Sequence, residues 1–192
     1  GIRDVLGSSG LGDVYKRQPK TEIYQMGEWV ELDGDFQFSA DESTKGYAVK
    51  LENIEFMSPK DYAARYGLEL SAFYSLDDTL PEFVADLTLN FRNTGNDEGY
   101  IQFVYYRIYS EKDLRSFYPL ADVNVLLHPE MSDKLGFKIY PGTESGPNHF
   151  CLISAVEATG AVTGNSKNFP KYLQISMTPT RKVIEIPELN IS

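Results

Sequence analysis

Phe83-Val84-Ala85-Asp86-Leu87-Thr88-Leu89-Asn90-Phe91 places an apolar residue at every odd position and a polar one at three of the four even positions. A period of two marks a β-strand whose side chains alternate between opposite faces. The row Phe83, Ala85, Leu87, Leu89 and Phe91 is expected to be buried, with Val84, Asp86, Thr88 and Asn90 on a largely wet face. Burying each large member of the row contributes roughly 1.5–3 kcal/mol. A one-residue slip would turn the whole row outward and forfeit several times that, against a net domain stability of about 5–15 kcal/mol. Hydrophobicity therefore sets the register.

On the C-terminal side, Asn93-Thr94-Gly95-Asn96-Asp97-Glu98-Gly99 is a run of turn formers, and Tyr100 to Tyr109 follows with high β-propensity. The two strands are expected to form a hairpin. Ile101, Phe103 and Tyr105 share one face of the second strand and Val104, Tyr106 and Ile108 the other, which predicts a central strand covered twice. On the N-terminal side, Tyr47, Val49 and Leu51 alternate and then shift phase to Ile54 and Phe56, as a β-bulge near Glu52-Asn53 would produce. A two-turn helix over 59–66 follows: Ser58 can cap it, Pro59 suits its first position, Asp61 favours its N-terminus and Gly67 stops it.

Farther along, Leu135 to Tyr140 and His149 to Val156 are expected to pair about a loop that runs from Pro141 to Pro147. Tyr172 to Met177 and Lys182 to Ile186 flank a turn at Thr178-Pro179-Thr180-Arg181. Short strands punctuated by turn signals, with no βαβ alternation, predict an all-β, antiparallel immunoglobulin-like sandwich carrying one short helix.

The 192 residues carry one cysteine, so no intrachain disulfide can form, and a formal charge of −10. Phosphate backbones and anionic membrane surfaces would be repelled, and no basic stripe offsets this. Nucleic-acid binding is excluded on that ground. No apolar run is long enough to cross a bilayer. Residues 1–18, GIRDVLGSSGLGDVYKRQ, have no strand or helix period, and their SSGLG lacks the Lys-Ser/Thr pair of a phosphate-binding loop. They read as a non-native, linker-like leader, leaving residues 19–192 as a single domain. Any membrane attachment would come through an N-terminal anchor outside this sequence.

Tyr24-Gln25-Met26-Gly27-Glu28-Trp29-Val30 with Phe36 and Gly46-Tyr47, then Tyr62 to Gly67, then Met177 to Ile184, together resemble a family of exported domains from Gram-positive gut bacteria. That family is related to the immunoglobulin-like, telokin-like domains of small lipoproteins. The resemblance covers most of residues 22–187. It implies a sandwich fold and an extracellular or cell-surface location, and it assigns no catalytic residue.

Chemistry-bearing residues are sparse. His149 and Cys151 stand two apart on an expected strand, so both would face one side, as a metal pair or a Cys-His nucleophile requires. The bland alternative is a small buried thiol beside a surface imidazole. Asp33-Gly34-Asp35 with Asp41 and Glu42 could hold calcium weakly but lacks the spacing of an EF-hand loop. No nucleophile elbow and no cofactor motif is present. Tyr24, Tyr100, Tyr106 and Tyr118 stand at expected strand edges, where tyrosine serves either packing or recognition. The expected binding loops are Phe117-Tyr118-Pro119 and Gly142 to His149, which includes Glu144. The function expected is a non-enzymatic surface module that binds another protein. A glycan-binding module and, less favoured, a metal-dependent hydrolase at His149 and Cys151 are the alternatives.

Overall fold

A computed structural model of the chain describes residues 20–34, 43–109, 117–131, 135–154 and 170–187. The leader 1–18 lies outside these residues, as do Phe36, Asp35 and Asp41.

The alternating stretch forms β4 (Val84–Asn93) at the heart of the molecule. Ala85, Leu87, Leu89 and Phe91 are wholly buried, as their period requires. On one side β4 pairs antiparallel with β3 (Tyr47–Met57), and on the other with β9 (Thr143–Ser154). In β3 the phase shift is a bulge: Leu51 faces Leu89 and Asn53 faces Thr88, so Glu52 is the extra residue. Helix α1 (Pro59–Tyr66) follows with the caps its sequence announces. The Ser58 hydroxyl accepts from the Asp61 amide at 3.1 Å. Gly67 closes the helix at φ +67, in the left-handed region a Cβ disfavours.

A short 3-10 turn (Leu70–Phe73) precedes β4, and after it come β5 (Ile101–Gln102), β6 (Arg107–Tyr109), β7 (Phe117–Pro119) and α2 (Ala121–Leu127). Then come β8 (Gly136–Phe137), β9, β10 (Tyr172–Ser176) and β11 (Thr180–Glu185). Near the N-terminal end lie β1 (Lys20–Gln25) and β2 (Trp29–Glu31). Among the described residues, nine strands make one sheet in the order β1-β11-β10-β6-β7-β9-β4-β3-β2, while β5 and β8 pair separately.

The β-rich class agrees with the sequence, but the arrangement differs from an antiparallel two-layer sandwich. β1 runs parallel to β11, so the sheet is mixed. β1 and β2 occupy opposite ends of the strand order, yet only residues 26–28 separate them. A connection that short forces the two ends together, and the sheet curls into a nearly closed, barrel-like form. A side chain helps bridge the seam: the buried Lys182 ammonium of β11 donates to the Glu31 carbonyl at 2.5 Å.

Two further expectations are corrected. Tyr100–Tyr109 is not one strand hairpinned to β4, whose edges are both occupied by β3 and β9. It breaks into β5 and β6 about a turn in which the Tyr106 amide donates to the Phe103 carbonyl at 3.0 Å. Apolar residues occur on both parities because the turn lets Phe103 and Tyr106 enter the same core, their rings 4.7 Å apart. Similarly, residues 143–149 belong to β9 rather than to a loop, and residues 136–137 pair with β5. The Pro147 region reads as a break because β9 carries an irregularity there, opposite Asn90. Gly146 makes it possible, since a Cβ at that position would meet the Asn90 side chain at 2.0 Å.

The core has two parts. Inside the barrel lie Leu51, Ile54, Leu87, Leu89, Phe91 and Phe150 among others. Outside it, α1, the 3-10 turn and α2 cover one end of β4 and β9, enclosing Met57, Tyr62, Phe73, Val84, Val123 and Cys151. Val84 and Asp86 are therefore buried rather than wet, because helices from elsewhere in the chain cover that face.

Candidate functional site

Cross-strand register decides which side chains meet on the outer face of the sheet. Glu55, Asp86 and Cys151 form one row across β3, β4 and β9, and Asn53, Thr88 and His149 form the next. α1 lies over the first row. Its Arg65 reaches both carboxylates, with Nη1 2.9 Å from Asp86 Oδ2 and Nη2 3.0 Å from Glu55 Oε2. The Tyr66 hydroxyl donates to the same Asp86 oxygen at 2.6 Å.

Asp86 is only 3% exposed, and its other oxygen, Oδ1, has no hydrogen-bond partner. His149 Nδ1 stands 3.6 Å from it and 3.3 Å from the Thr88 hydroxyl. Burial raises the Asp86 pKa, and the hydrogen bonds from Tyr66 and Arg65, with the nearby His149, pull it back only in part. The result is a sealed carboxyl tied to α1 on one side and facing a half-exposed imidazole on the other.

Cys151 and His149 do lie on one face, two residues apart on β9. The thiol, however, is fully buried, and burial followed by the Asp86 charge raises its pKa well above the ordinary value. A nucleophilic cysteine needs the opposite environment. Behind it the Tyr62 hydroxyl is also buried, its pKa raised chiefly by desolvation. Among the described residues, no group of three or more His, Cys, Asp and Glu is placed to hold a metal ion.

A neighbouring device completes the sheet edge. Where β7 ends, Asn124 of α2 takes over as the partner of Cys151: Oδ1 accepts from the Cys151 amide and Nδ2 donates to its carbonyl, both at 2.8 Å. One fully buried side-chain amide thus imitates a strand residue. His128, just beyond α2, places Nε2 2.7 Å from the His149 carbonyl oxygen and stacks on Phe150. It is a packing residue.

The remaining sequence candidates scatter. Phe117 points into the barrel and packs against Phe56, with ring centroids 5.3 Å apart, so it cannot present a binding surface. Tyr118 points the other way and is exposed. Glu144 is exposed on β9 opposite Arg92, at the far end of the strand from Tyr118's partner Ile153. Asp33 is exposed in a turn, while its proposed calcium partners Asp35, Asp41 and Glu42 lie outside the described residues. Tyr106 belongs to the core, and Tyr24 packs against it.

Sequence reading missed a second feature, an exposed apolar surface. Among the described residues the exposed large apolar side chains are Ile23, Tyr74, Leu76, Leu80, Tyr118, Leu126 and Tyr140. Five of these seven belong to the helical cap: Tyr74, Leu76 and Leu80 follow the 3-10 turn, Tyr118 leads into α2 and Leu126 lies on it. The 3-10 turn and α2 pack together, and Tyr118 pairs with Ile153 on the covered face. Leu76, Leu80 and Leu126 could have been noticed as apolar residues in a polar loop or on a short helix. Asp86 could have been noticed as a carboxylate in an apolar strand, but neither signal says what lies opposite.

A family model described as a domain of unknown function, DUF5028, matches residues 21–182, and the chain belongs to that family. A search of curated proteins finds no match, and neither does a search of solved structures.

Proposed function

We propose that this domain is a non-enzymatic binding module that docks another protein through its helical cap, outside a bacterial cell. The observation that carries the reading is the concentration of five exposed apolar side chains on that cap. Exposed apolar side chains gathered on one part of a folded domain commonly mark an interaction site. The cap also rests on a rigid sheet, a good foundation for recognition by loops and short helices. The likeness of Tyr24–Val30, Tyr62–Gly67 and Met177–Ile184 to exported immunoglobulin-like, telokin-like domains supports the cell-surface location.

Photocrosslinking tests this. Benzoylphenylalanine in place of Leu126 should yield one discrete protein adduct in an extract of the source cells, and in place of Ile23 on β1 it should not. No adduct at either position, or the same adducts at both, would sink the proposal. A second reading, stacking against a glycan, has the 84% exposed ring of Tyr140 in its favour. A glycan array without hits would remove it. The hydrolase reading has less support, since a sealed, protonated Cys151 supplies neither a nucleophile nor a metal ligand.

A further inference from the structure

The most exposed apolar side chain of the cap stands on a hydrogen-bonded loop. Leu76 is fully exposed, at the tip of the loop from Ser75 to Thr79. That loop is braced from within. The Ser75 amide donates to the Thr79 carbonyl at 2.9 Å, and the Asp78 amide to the Ser75 carbonyl at 3.0 Å. The Ser75 and Thr79 hydroxyls lie 2.7 Å apart, and both reach the Asp77 carboxylate. Asp78 completes the turn in the left-handed region, at φ +60. An exposed leucine on a floppy loop would require the loop to be ordered on binding, at an entropic cost; here the loop is already held by its own hydrogen bonds.

The charges nearest it in the chain have one sign. From Gly67 to Phe91 the chain contains no lysine, arginine or histidine. Glu69, Asp77 and Asp78 are all exposed in this segment. The Ser75 and Thr79 hydroxyls hold the Asp77 carboxyl below its usual range, which keeps it ionised.

We propose that Leu76 is the anchor of the docking surface, inserting into an apolar pocket that the partner protein rims with lysine and arginine. This rests on the cap being the docking face and adds both the contact residue and the partner's charge. The acidic rim argues for a protein rather than a bilayer, because anionic headgroups would repel it. Apolar anchoring supplies residence time, and complementary charge supplies orientation and encounter rate.

The test uses the full isotope-labelled chain and synthetic amphipathic helices of about 15 residues, one Leu/Lys and one Leu/Glu, followed by amide shifts. The Leu/Lys peptide should shift residues 74–82 saturably. Affinity should fall roughly tenfold on Leu76→Ser, and by a similar factor when salt rises from about 0.05 M to about 0.5 M. Leu76 is fully exposed, so the variant should melt with the wild type and a loss of binding is not a loss of fold. Equal binding of Leu/Glu, unchanged affinity in Leu76→Ser, or no shift with either peptide would overturn the proposal. Sedimentation with anionic phosphatidylserine vesicles would also overturn it, by assigning the loop to a membrane. A Leu126 crosslink that survives Leu76→Ser would remove the anchor and leave the cap as the docking face.

Discussion

Replacing Asn124 with alanine separates a structural amide from a decorative one. The side chain is wholly buried and makes three hydrogen bonds: to the Cys151 amide and carbonyl, each at 2.8 Å, and to the Leu120 carbonyl at 2.9 Å. Two of the three partners keep an alternative. The Cys151 carbonyl still accepts from the Leu120 amide at 3.3 Å, and the Leu120 carbonyl from the Asn124 amide at 3.1 Å. The Cys151 amide is left bare in a dry site, which costs about 1–3 kcal/mol, and the two weakened acceptors add about 1 kcal/mol together. Better helix propensity returns about 0.5 kcal/mol. The expected loss is about 1.5–3.5 kcal/mol, or roughly 3–14 °C in Tm for a domain of this size. Urea unfolding of Asn124→Ala beside the exposed Asn53→Ala measures it, and hydrogen exchange should show the Cys151 amide losing protection. A loss below about 0.5 kcal/mol, indistinguishable from Asn53→Ala, would refute the idea that Asn124 substitutes for a strand.

Four further outcomes follow, three from the outer face and one from the helix cap. Asp86 binds its proton more tightly folded than unfolded, so stability relative to Asp86→Asn should fall as pH rises from about 4, the ordinary aspartate range, through the raised folded value. Tyr66→Phe, which removes a 2.6 Å donor to the carboxylate, should steepen that fall and cost about 1–2 kcal/mol at neutral pH; paired urea titrations that run parallel would contradict both. Cys151, buried and with a raised pKa, should resist thiol reagents in the native state and react only on unfolding, so rapid labelling without denaturant would place it in an open site. Gly67→Ala should cost about 1 kcal/mol through its positive φ, read as a lower midpoint in thermal melts.

Local chemistry made several elements legible. The row Ala85, Leu87, Leu89 and Phe91, the bulge at Glu52, the capped helix 59–66 and the final strand pair about Thr178–Pro179 each depend on neighbours in sequence. Periodicity, capping and turn propensity act over a few residues, so the sequence alone can settle them. Partner choice was not legible. Tyr100–Tyr109 has the composition of a strand, yet β4 was already paired on both edges. Residues 143–149 have the composition of a loop, yet β9 continues through them.

The candidate site was read only in fragments: His149 and Cys151 were expected to share a face and Tyr118 to stand at a strand edge, but Asp86, Arg65, Tyr66 and Leu76 were not singled out. The amino-acid order determined that the chain is β-rich, acidic and alternating, and which row of β4 is dry. Tertiary structure decided that the sheet curls shut with β1 parallel to β11, and that Asp86 is sealed beneath Arg65 and Tyr66. It also decided that Leu76 stands in water while Phe117 does not. The division has one cause: alternation specifies two faces for every strand, but what covers the second face arrives from distant parts of the chain, through packing no local pattern encodes.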